Sequence, residues 1–184
     1  MCCLEGKDRR KVMFATHLCA AVVMTFGMSS SQNRLACKIM PTIIEQAEQR
    51  GLDPFIFTSL IFHESAFRPR VVSSAGACGL TQVLPQYSDY TCDQLKKPKT
   101  SIKAGMIALS YWLTRAKGDL VHGLCGYNAG NVCINNKGSV RVRHVKKRYS
   151  TPIIRLAQAI RFEVIDRFMD EPKFYNKVDD DNAN

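Results

Sequence analysis

No CxxC pair occurs in the sequence, and its four histidines, His17, His63, His122 and His144, are scattered along the chain. Structural zinc sites draw their ligands from close pairs, so no metal centre is expected. No segment sustains the period-two alternation of apolar and polar residues that a half-buried strand needs. Internal repeats are missing, as is any shift of composition that would mark a second domain. Acids are sparse as well. Between Glu64 and Asp119 only Asp89 and Asp93 occur, and none occurs in the run from Lys137 to Arg148.

What is present fits one domain of ordinary size. The chain has 184 residues, 46% of them hydrophobic and 23% charged, which excludes collagen, low-complexity disorder and a multi-span membrane protein. Its net charge of +10 draws it towards polyanions: nucleic acid, anionic lipid or a phosphate- and carboxylate-bearing cell wall. Lys137, Arg141, Arg143, Lys146, Lys147 and Arg148 carry much of the excess. Charge does not choose among these partners, and a solvated basic loop accounts for it equally well.

Lys7, Arg9, Arg10 and Lys11 precede an apolar stretch over 12–28, and small residues follow it. That order predicts a signal peptide over 1–31, cut after Ser29 or Ser31, or a short retained anchor at 12–28. Either reading sends the rest across the inner membrane, to the periplasm or cell envelope. The alternative is a buried N-terminal helix. Export also explains eight cysteines. Cys78 with Cys92 and Cys125 with Cys133 is the favoured pairing of the three that four cysteines permit, with Cys37 left free or intermolecular.

Helices are predicted over 41–49, with Pro41 in the first turn, and over 53–67, capped by Asp53. A short helical turn follows at 80–84. Further helices begin at Ser101, at Asp119 and at Thr151-Pro152. The fold class is all-α: one catalytic domain over 32–170, then an acidic tail over 171–184 expected to be disordered.

Glu64 stands at the end of the second helix beside Ile61, Phe62 and Phe67. An apolar setting disfavours the carboxylate and raises its pKa, as a general acid near neutrality requires. A surface glutamate at a helix end is the plainer reading, but the context argues against it. The chain continues Ser65-Ala66-Phe67, then Ser73-Ser74-Ala75-Gly76-Ala77-Cys78-Gly79-Leu80-Thr81-Gln82-Val83-Leu84-Pro85, and later Gly126-Tyr127-Asn128-Ala129-Gly130. These motifs, in this order, resemble the family 1 (soluble-type) lytic transglycosylases over about 41–165.

The resemblance implies a goose-lysozyme-like helical fold and a peptidoglycan substrate. Glu64 matches the family's catalytic acid/base. Ser65, Ser73, Gln82, Leu84, Tyr127 and Asn128 match substrate-binding positions, and Tyr149 resembles a tyrosine of a fourth, looser motif. Gly126 replaces the usual Ala, while Thr81 and Leu84 stand where Met is more usual; these are expected to be neutral swaps. The resemblance further implies cleavage between N-acetylmuramic acid and N-acetylglucosamine with closure of a 1,6-anhydro ring, using no cofactor. A single carboxylate suits that intramolecular route, since hydrolases usually need two. A goose-type hydrolase recruiting Asp89 or Asp93, and a non-catalytic glycan-binding module, are the competing readings. Nucleic acid as a specific partner rests on charge alone. Small members of this family open the wall for phage entry or lysis, in virions, or for secretion and conjugation machines.

Overall fold

A computed structural model describes residues 6–168, so the acidic tail expected over 171–184 lies outside the described residues. The elements are α1 (Gly6–Phe26), α2 (Ser30–Glu48), α3 (Pro54–Ser65), a 3-10 turn (Pro85–Tyr87), α4 (Cys92–Leu95), α5 (Pro98–Arg115), α6 (Leu120–Ala129), α7 (Val132–Asn135), α8 (Val140–Val145), a π-turn (Lys146–Ser150) and α9 (Thr151–Phe168). The fold is all-α. Among the described residues, extended pairing is confined to the isolated bridges Val72 to Cys78 and Cys78 to Val83.

α3 is the central helix. Phe55, Ile56, Phe57, Leu60 and Ile61 are all buried, so the helix is apolar around most of its circumference. A helix of that kind must be surrounded. α9 covers it with Ile153, Ala157 and Ile160, and α2 covers it with Ile39, Met40 and Ile43. Asp53 starts α3 by accepting from the Phe55 N–H at 2.8 Å, and Pro54 takes the first helical position. Arg161 of α9 pairs with that same Asp53 and lies 4.6 Å above the Phe55 ring, tying the start of α3 to its cover.

Residues 80–84, expected to form a short helical turn, instead make a non-helical turn ending in the Val83 bridge to Cys78, and two helix starts differ from expectation. α2 begins eleven positions before Pro41, which therefore sits inside the helix rather than in its first turn. The start is set by Ser29 and Gln32, whose side chains satisfy each other's backbone N–H in a capping box. α5 begins at Pro98 rather than at Ser101, because the Ser101 hydroxyl is buried against Thr81 and caps nothing.

The segment read as a leader or short anchor, with a buried N-terminal helix as the alternative, is helical. It forms α1, whose Ala15, Leu18, Ala21, Val22 and Phe26 are buried in the same core as α2, α3 and α9. Phe14 meets Phe55 edge-on at 5.7 Å, and Phe26 stacks on Phe62 at 4.1 Å. Cys37, expected to be free or intermolecular, forms a disulfide with Cys19 of α1. An amphipathic helix with small residues on its inner face and a leader's apolar stretch are alike in hydropathy, which is why the sequence did not separate them. No described helix is long and apolar enough to cross a membrane.

Candidate active site

α3 delivers Glu64 at its C-terminal end, and the chain then breaks sharply. Ala66 and Phe67 both adopt left-handed backbone (φ 49° and 58°), an unfavourable conformation for residues other than glycine. The Gln32 side-chain amide holds the break in place by donating to the Ala66 carbonyl at 2.7 Å. Capping α2 and clamping the end of α3 thus fall to one side chain.

The loop that follows is folded back on α3. Ser65, read as substrate-binding, is buried, and its hydroxyl donates to the Leu80 carbonyl at 2.8 Å and the Ile61 carbonyl at 3.2 Å. These bonds fasten the glycine-rich loop to α3. Gln82 is likewise occupied. It sits in left-handed backbone (φ 48°), with its amide donating to the carbonyls of Gly79 at 2.8 Å and Val71 at 3.2 Å. Ser73 accepts from the Ala77 N–H at 3.0 Å, closing the turn that contains Gly76. Leu84 is half-buried and leads into the 3-10 turn. At Gly79 (φ 79°) a Cβ would lie 2.0 Å from the Leu95 carbonyl oxygen, so only glycine fits. Cys78 joins Cys92, binding this loop to α4.

Two tyrosines close the site from the other side. The Tyr149 hydroxyl, on the π-turn, donates to Glu64 Oε1. The Tyr127 hydroxyl, on α6, donates to the Thr81 carbonyl at 2.7 Å. Burial holds both phenols well above the usual tyrosine range, with Glu64 adding to the effect, so both remain donors at any ordinary pH. Burial pushes Glu64 up to about 7 against the downward pull of the Tyr149 hydroxyl. A carboxyl that holds its proton near neutrality, with a phenol fixed on one oxygen, is equipped to donate that proton and take it back. Asn128 is exposed beside Tyr127. A second disulfide, Cys125 to Cys133, locks the end of α6 that carries this pair.

The departures expected to be neutral are compensated in space. At Gly126 a Cβ would stand 2.5 Å from the Trp112 ring, so glycine at this position makes room for that indole. Thr81 donates to the Ser101 carbonyl at 2.9 Å and packs against Gly105, whose own Cβ would clash with it at 2.6 Å. Both fits show only in three dimensions.

Asp89 and Asp93 are exposed, and Asp93 is paired with Lys96 at 3.0 Å. α7, α8 and the π-turn were not anticipated. The last of these sets Tyr149, and no sequence signal marks a π-turn.

The profile of the transglycosylase SLT domain matches residues 41–149, a span running from within α2 through Glu64 to Tyr149. In three dimensions the chain is similar to the lytic transglycosylase Slt from Pseudomonas aeruginosa, solved as an inactive mutant, with a TM-score of 0.54 and 20% identity. The match covers 81% of this chain and 25% of that one, so the present chain corresponds to about a quarter of the larger protein.

Proposed function

Since the chain belongs to the transglycosylase SLT domain family, we propose that it is a peptidoglycan lytic transglycosylase in which Glu64 serves as both acid and base. The observation that carries the reading is the Glu64–Tyr149 pair: one desolvated carboxyl, its pKa near 7, with a phenol locked on one oxygen. In the protonated form Glu64 gives its proton to the oxygen linking N-acetylmuramic acid to N-acetylglucosamine. The resulting carboxylate is stabilised by the Tyr149 hydroxyl and then accepts the proton of the sugar's own 6-hydroxyl. That hydroxyl closes the 1,6-anhydro ring. The attacking group is already on the substrate, so its effective concentration exceeds that of water without a second carboxylate to position one.

The chain contains three disulfides among its described residues, which favours work outside the reducing cytosol, in the periplasm or envelope or carried by a virion. Within this reading the enzyme opens the wall locally, for phage entry or lysis or for a secretion machine. The exposed cations Arg141, Arg143, Lys147 and Arg148, on and beside the turn that holds Tyr149, would draw the enzyme to an anionic wall.

Mass spectrometry of muropeptides released from purified sacculi tests the proposal. Anhydromuramic ends are expected, and Glu64→Gln should lower their release by about a thousandfold while leaving the helical circular dichroism unchanged. Reducing ends instead, together with loss of activity in Asp89→Asn or Asp93→Asn, would identify a hydrolase.

A further inference from the structure

Tyr149 is held at two points from one helix. Glu64 takes its hydroxyl, while the preceding residue, His63, meets its ring edge-on with centroids 4.9 Å apart and planes at 75°. Neighbouring residues on an α-helix diverge by about 100°, so His63 and Glu64 straddle the tyrosine rather than point at one spot. The backbone of Arg148, in the same π-turn and next to Tyr149, also acts on His63, raising its pKa against the effect of desolvation. A π-turn departs from the regular helical ladder, and nothing in its own residues Lys146, Lys147 and Arg148 dictates that departure.

We propose that His63 is a positioning residue: by pinning the π-turn at Arg148 and bracing the Tyr149 ring, it fixes the phenol in its donating pose on Glu64. The inference rests on the acid/base reading of Glu64. His63 is exposed at the surface, yet desolvation by its neighbours lowers its pKa, which keeps the imidazole neutral near pH 7. A neutral ring suits the place. An imidazolium beside Glu64 would favour the carboxylate and strip the acid of its proton. The other charged or titratable groups around Tyr149 are Glu64 itself, Tyr127, and the Lys146, Lys147 and Arg148 side chains of its own turn.

The test compares His63→Ala, His63→Gln, Tyr149→Phe and the double variant His63→Ala/Tyr149→Phe. Each is assayed for kcat and KM on sacculi and for Glu64 titration by carbon NMR of its carboxyl group. His63→Ala should lower kcat about tenfold, with KM within about twofold. Its Glu64 should titrate above the parent value, since the donation that lowers it is loosened. His63→Gln, whose amide can still reach the Arg148 backbone, should recover most of the loss. The double variant should be no worse than Tyr149→Phe alone, because His63 acts through that ring. Additive losses would overturn the proposal, and so would a His63→Ala protein whose Glu64 titrates as in the parent. If even the parent released no muropeptides, the enzyme reading would fail, yet the Glu64 titrations would still decide what His63 does.

Discussion

Two regions meet at Glu64 and are built in opposite ways. The N-terminal layer, α1 with the first half of α2, contributes Leu18, Val22, Phe26, Ala36 and Met40, side chains with no hydrogen-bonding role. The region from Ser65 to Thr81, with Tyr127 and Tyr149, is held by buried polar contacts, strained left-handed backbone and a disulfide. Non-directional packing tolerates many sequences provided volume is kept, whereas each buried hydroxyl needs its one acceptor. The recognisable motifs crowd the second region, and the matched span begins at residue 41. The first region still reaches the chemistry, through Phe26 on Phe62 and through Gln32 on Ala66.

The strongest challenge to this division is to remove part of the layer. Leu18 is fully buried, and Leu18→Ala should destabilise the protein by about 2–5 kcal/mol, read from urea unfolding. A protein starting at Gln32 should lose more, exposing the faces of α2 and α9 that α1 covers. Unchanged unfolding in either variant would mean that α1 is a passenger. The active-site region should behave in the reverse sense, being built at the expense of stability. Glu64 has a folded pKa of about 7 against an ordinary 4.5, so its ionisation is penalised in the folded state above pH 7 and the penalty is absent below pH 4.5. Glu64→Gln should therefore stabilise the protein at pH 8 by up to about 3 kcal/mol and do little at pH 4, measured by thermal unfolding at both.

Smaller effects sharpen the contrast between packing and polar pairing. Gly126→Ala should cost about 1–3 kcal/mol through contact with Trp112, and adding Trp112→Leu should recover part of it. A Gly126→Ala protein as stable as the parent would show that the indole moves freely. The least effect is expected from the exposed charges. Replacing Lys146, Lys147 and Arg148 with Gln should weaken binding to sacculi at low salt, by less than about 1 kcal/mol per charge, and leave unfolding unchanged. An equal loss on a short neutral glycan would show that these residues shape the site.

The sequence disclosed much of the second region and little of the first. Glu64, Tyr127 and Tyr149 stand in linear motifs, so they were legible one by one. That Tyr149 reaches Glu64 across 85 residues was not, because a contact between distant positions leaves no local trace. A motif records that a side chain is required and not what it touches, so the bonds of Ser65 to Leu80 and of Gln82 to Gly79 and Val71 show only in three dimensions. In the N-terminal layer the capping box of Ser29 and Gln32 is present in the letters, but small polar residues after an apolar stretch also fit the end of a leader. Cys19 was set aside with that segment, and with it went the partner of Cys37.

The bond between those two sulfurs changes what proteolysis can accomplish. The turn between α1 and α2, around Gly27 and Met28, is the natural place for a protease to cut ahead of the serines. A cut there severs the main chain but leaves α1 tethered through Cys19 to α2, so nothing departs unless a reductant follows. Cleavage there would therefore not by itself free α1: release would need both reduction of that bond and separation of α1 from the core it shares with α2, α3 and α9.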